Sequence, residues 1–94
     1  MNEKIKILLV EDNPADVDLT TERLEASKIL HEIAIVQDGI EAMDFLLKKG
    51  AYENVFKPDL ILLDLNLPRK DGREVLAEVK SLPGLKRIPV IILT

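Results

Sequence analysis

Two kinds of apolar pattern take turns along the chain. Short aliphatic runs, Ile5 to Val10, Glu32 to Val36, Asp59 to Asp64 and Pro89 to Leu93, have the length and branching of buried strands. Between them, apolar residues recur every three or four positions, as on one face of a helix. Asn13 is a good N-cap and Pro14 suits the first helical position, where its missing N–H costs nothing. The spacing predicts a helix from Ala15 to about Ala26, with Val17, Thr21 and Leu24 inward and Asp16, Asp18, Glu22 and Arg23 toward water. Asp38 caps a second helix from Gly39 to Lys49, with Ile40, Met43 and Leu47 on one face and Gly50 as its stop. Ala51 to Lys57 reads as a polar connection and Pro58 leads into the third strand. A turn-rich loop covers Asn66 to Gly72. A third helix runs from Arg73 to about Ser81, with Val75, Leu76 and Val79 apolar, and Pro83-Gly84 breaks it.

The resulting order, β-α-β-α-β-α-β with short links, predicts an α/β fold. Its sheet is doubly wound and parallel, because each right-handed crossover needs a helix to return the chain. Residues 1–94 read as a single domain without repeats or linkers. The chain stops at Thr94, directly after an apolar strand, which is an unusual place for a domain to finish.

Composition narrows the function classes. With 47% hydrophobic and 32% charged residues the chain is ordinary for a globular protein. Net charge is −4 and no Lys/Arg block is dense, so no nucleic-acid partner is expected. Cysteine is absent, which excludes disulfides and thiolate metal sites. No signal peptide or membrane-length apolar run is present, so a cytoplasmic location and no membrane partner are expected.

The chemistry lies where the strands end. Asp64 closes the run Leu60-Ile61-Leu62-Leu63, and Glu11-Asp12 follow Val10. If these two strands are parallel neighbours, three carboxylates meet at the sheet edge where open α/β sheets place ligands. Two such groups about 4 Å apart repel by roughly 4 kcal/mol at an effective dielectric near 20, so a proton or a cation must join them. Mg²⁺ is satisfied by one or two carboxylates, a carbonyl and waters. The backbone carbonyl of Asn66 can turn toward the same point. A carboxylate beside such a cation is a competent nucleophile toward phosphorus. Taken singly, Glu11 and Asp12 also suit a helix N-terminus through its dipole, and Asp64 suits an ordinary loop. Placed together at two strand ends, they favour the metal site. Thr94, at the end of the fourth strand, has a hydroxyl that could donate to a phosphoryl oxygen, although threonine is common in strands anyway.

The segments Leu9-Val10-Glu11-Asp12-Asn13, Asp38-Gly39-Ile40-Glu41-Ala42, Leu62-Leu63-Asp64-Leu65-Asn66-Leu67-Pro68, Asp71-Gly72 and Pro89 to Thr94 resemble the response-regulator receiver domain. The resemblance implies a flavodoxin-like fold with strand order 2-1-3-4, followed in other members by α4, β5 and α5. It implies Asp64 as phosphoacceptor from a histidine kinase, and Mg²⁺ held by Asp12, Asp64 and the Asn66 carbonyl with Glu11 acting through water. Thr94 would be the switch hydroxyl. Such a domain catalyses its own phosphorylation and dephosphorylation and is not a metabolic enzyme. Gly50-Ala51-Tyr52-Glu53-Asn54 and Leu85-Lys86-Arg87-Ile88-Pro89 further resemble stand-alone regulators serving bacterial phytochrome-type kinases.

Ending at Thr94 leaves out the lysine that the family carries on its fifth strand. Lys70, Lys80 and Lys86 fall in loops or on a helix face, so the chain as it stands is expected to be truncated and impaired in phosphoryl transfer. Strand 89–94 would then be an apolar edge open to self-association. An aspartyl-phosphate phosphatase of the haloacid-dehalogenase type needs an acid where Asn66 stands. A flavin carrier lacks suitably placed aromatics, and the nucleotide-binding glycine motifs are missing. The remaining alternative is a non-phosphorylated scaffold or strand-exchanging module of the same fold. His31, near a strand start, reads as a surface or structural residue.

Overall fold

The structure is a computed structural model that describes residues 3–93. Strands β1 (Ile5–Val10), β2 (His31–Val36), β3 (Leu60–Leu63) and β4 (Val90–Ile92) form one sheet in the order β2-β1-β3-β4, every pair parallel. Helices α1 (Pro14–Ala26), α2 (Gly39–Leu46) and α3 (Gly72–Ser81) make the crossovers. The expected α/β, flavodoxin-like order 2-1-3-4 is what forms. Thr94 lies outside the described residues, so its expected position at the end of the fourth strand is not among the observations.

Strand alternation divides the core into two layers. Leu8, Val10, Ile61 and Leu63 face α2 and α3 in the larger layer. Ile7, Leu9 and Leu62 face the other way, toward Val17 and Leu24 of α1. Helix α1 has no buried residue, whereas Val75 and Val79 of α3 are buried. The expected inward positions of α1 are therefore only half-covered among the described residues.

Helix α2 departs from expectation in face and length. Gly39, Ala42, Met43 and Leu46 form its inward stripe together with Phe45, while Ile40 and Leu47 are exposed. The small residues decide the face. Gly39 meets the backbone of Lys70 so closely that a Cβ would overlap the Lys70 carbonyl oxygen. The helix stops at Leu46 because Lys48 already takes the left-handed conformation, at φ 55°, two residues before Gly50 does so at φ 59°. The Lys48 amide donates to the Phe45 carbonyl and the Lys49 amide to the Asp44 carbonyl, the pairing of a Schellman end. Gly50 instead opens a 3₁₀ turn, Gly50–Tyr52. The connection read as polar carries Tyr52, Val55 and Phe56 onto the core, with the Tyr52 and Phe56 rings each 5.5 Å from Phe45.

Candidate metal centre

Register places the acids. Val10 pairs with Leu63 across parallel β1 and β3, so the residues that follow, Glu11 and Asp64, emerge side by side at the carboxyl edge. The Asp64 amide donates to the Val10 carbonyl (3.0 Å), and the Glu11 amide to the Val36 carbonyl (3.0 Å). One carboxylate oxygen from each of Glu11, Asp12 and Asp64 falls within 4.8 Å of the others. Glu11 and Asp64 are 2% and 6% exposed, while Asp12 is open to water. The pocket thus has two sunken acids and one at its mouth.

Local hydrogen bonds orient these groups. The Asn66 amide donates to Asp64 Oδ1 (2.9 Å), so the chain turns tightly after the strand and the residue 66 backbone stays beside the carboxylate. The Asn13 amide donates to Glu11 Oε2 (3.3 Å), just before Asn13 caps α1 by accepting from the Ala15 amide (2.9 Å). Burial pushes the Glu11 carboxyl up to about 7, offset in part by the Asn13 amide and reinforced by its hydrogen bond to Asp64 and by the Asp64 charge. Two acids that close cannot both be charged without compensation. Oxygen donors only, partly buried and mutually repelling, are a fitting set for a hard divalent cation.

The β3–α3 loop wraps this pocket tightly. The Gly72 amide donates to the Leu65 carbonyl (3.0 Å), and a Cβ at Gly72 would overlap the Asp64 carbonyl oxygen. The loop is also fastened to α2, since Arg69 pairs with buried Asp38 at 3.2 Å. Sequence reading used Asp38 only as a helix cap and did not find this pair. Its one local signal is an arginine in a turn, which does not specify a partner thirty-one residues away.

Lys70 is engaged by Glu78, and Lys80 Nζ donates to the carbonyls of Lys86 (3.3 Å) and Ile88 (3.1 Å). The His31 Nδ1–H donates to the Ile29 carbonyl at 2.7 Å, a structural role. A cavity of about 510 Å³, lined by Lys6, Glu32, Phe45 and Phe56 among others, lies by the starts of β1 and β2, away from the acids. Smaller hollows of about 160 and 260 Å³ flank Glu11. No described helix is long and apolar enough to cross a membrane.

A parallel 2-1-3-4 sheet with three clustered carboxylates at its carboxyl edge defines a class, and the chain belongs to it: residues 7–94 match the response regulator receiver domain family. Among curated relatives, response regulator Rcp1 of Synechocystis sp. is 62% identical over 88 residues, 94% of this chain and 60% of Rcp1. The Mn²⁺-bound form of Rcp1 superposes with a TM-score of 0.92 at 62% identity, covering 95% of this chain and 64% of that one. The phosphorylated cyanobacterial phytochrome response regulator RcpA gives 0.91 at 60% identity, covering 96% and 64%. The chain therefore spans less than two thirds of the length of these relatives. It is related to phytochrome response regulators of two-component signalling.

Proposed function

We propose that this chain is a receiver that takes a phosphoryl group from a phosphohistidine of a histidine kinase, of the phytochrome-associated kind, onto Asp64. The observation that carries the reading is the buried Asp64 carboxylate within 4.8 Å of the Glu11 and Asp12 carboxylates. An Asp64 oxygen attacks phosphorus and the P–N bond breaks. Its electron pair returns to the imidazole nitrogen, which takes a proton, and an acyl phosphate is left on Asp64. Asp12, Asp64 and the Asn66 carbonyl would hold Mg²⁺, with Glu11 beside them. When bound, Mg²⁺ neutralises charge on the phosphoryl oxygens. Thr94 serves as the hydroxyl that contacts the phosphoryl group. Support for the metal comes from this donor set and from the Mn²⁺-bound relative. Support for the acceptor comes from the family and the phosphorylated relative.

Residues 1–94 belong to one receiver domain, and its setting is cytoplasmic, without nucleic-acid or membrane partners; the charge of −4 supports the former exclusion. A polypeptide of residues 1–94 alone accepts phosphate slowly, because Lys70 and Lys80 are committed elsewhere and neither compensates the charge that builds at Asp64. Addition of Mg²⁺ and beryllofluoride should shift the amide NMR signals of Glu11, Asp12 and residues 64–66. Base-labile labelling by a phosphodonor should vanish in Asp64→Asn. Undiminished labelling of that variant would move the acceptor elsewhere. No response of the wild-type signals would instead favour a scaffold with an unused pocket.

A further inference from the structure

We propose that Asp38 and Arg69 form a positioning pair that sets the β3–α3 loop, and with it the Asn66 carbonyl, at the metal centre. This deepens the metal-centre reading given above and rests on it. Arg69 has φ 66°, a left-handed conformation uncommon for a non-glycine residue. The Lys70 amide donates to the Pro68 carbonyl at 2.8 Å, so Arg69 is the centre of a three-residue turn of the rarer, strained sign. That turn throws the guanidinium back onto Asp38 Oδ2 at 3.2 Å. Both Asp38 oxygens are then committed, because Oδ1 accepts from the Glu41 amide at 2.8 Å as the cap of α2. Beside this tie, Gly39 lets the Lys70 carbonyl seat directly on the α2 N-terminus.

The loop is thereby clamped at two places. At one end the Gly72 amide closes on the Leu65 carbonyl and the Asn66 amide on Asp64 Oδ1. At the other, the Arg69 side chain, itself 61% exposed, pairs with buried Asp38, the N-cap of α2, an element fixed in the core by Ala42, Met43 and Leu46. Residues 66–68 lie between the clamps. An outer partner that orients a ligand-bearing backbone acts through that backbone, and outer partners commonly govern metal affinity by about ten- to a hundredfold.

The test is calorimetric titration of the full chain with Mn²⁺, using wild type, Arg69→Gln, Asp38→Asn, the double variant, Arg69→Lys and, as control, Asp12→Asn. Asp38→Asn keeps the Oδ1 cap while placing an amide N–H against the guanidinium, so α2 is retained. Arg69→Gln and Asp38→Asn should each weaken Mn²⁺ by about tenfold. The double variant should be no weaker than the worse single one, since coupled partners are not additive. Arg69→Lys should recover most of the affinity. Urea midpoints measured without metal identify a merely structural role. A lowered midpoint with unchanged Mn²⁺ affinity in Arg69→Gln and Asp38→Asn overturns the positioning role and leaves the metal centre standing. Wild type indistinguishable from Asp12→Asn overturns the metal centre itself, and the pair's role with it.

Discussion

Glu11 is where protons and metal compete. Its carboxyl is pushed up to about 7 from an ordinary value of 4.5, first by burial and then by Asp64. Between those values the folded chain keeps a proton that the unfolded chain has released. Metal-free stability therefore falls as pH rises through this window, and the loss is complete above about 7. Glu11→Gln should remove this dependence and raise the metal-free melting midpoint at about pH 8 by a few degrees, an effect on the order of 1–3 kcal/mol. In the wild type, Mg²⁺ affinity should climb with pH through about 7, because binding must displace the Glu11 proton. Calorimetric titrations across that range check the slope, and a flat profile would place the shared proton elsewhere. The acids themselves were legible from their places after apolar runs. The raised pKa was legible only in kind, because its size depends on how little water reaches Glu11.

At the scale of elements, two glycines allow the loop and helix packing around the site. Gly39 admits the Lys70 carbonyl to the start of α2, and Gly72 admits the Asp64 carbonyl to the start of α3. Gly39→Ala and Gly72→Ala should each cost about 2 kcal/mol or more in urea unfolding, since the obstructing atoms are backbone and cannot swing aside. Gly72→Ala should also weaken Mg²⁺, because it displaces the residue that closes on Leu65 beside Asp64. Two helices were readable from their caps, Asn13 and Asp38, which each accept an amide at an N-terminus; Asp71 caps α3 in the same way but was read only as part of a turn-rich loop. The face and end of α2 were not. Apolar residues surround much of that helix, so Ile40, Met43 and Leu47 made as regular a stripe as Gly39, Ala42, Met43 and Leu46. Contact with the β3–α3 loop chose between them. Both Lys48 and Gly50 are left-handed, and the helix ends at the first of them, before the glycine that is intrinsically better suited.

At the largest scale, coverage of the sheet is uneven among the described residues. Helices α2 and α3 bury one face well, whereas the α1 face leaves Leu19 and Ile35 exposed, and β4 at the sheet edge shows Ile91 at 50% exposure beside Ile92 and Leu93. Unpaired edge groups next to apolar side chains invite another strand. A polypeptide of residues 1–94 should sediment as a concentration-dependent oligomer, and Ile92→Lys should shift it toward monomer. A stable wild-type monomer with a cooperative melt would refute that expectation. The sequence by itself determined the strands, their parallel sense and the acids that close them, while the strand order came from the resemblance to the receiver family. Parallel neighbours bring the residues after them to one edge. Only the tertiary structure decided which stripe of α2 turns inward, how deep Glu11 lies and that Arg69 reaches Asp38. Each of these depends on what an element meets across space, and no local spacing encodes that.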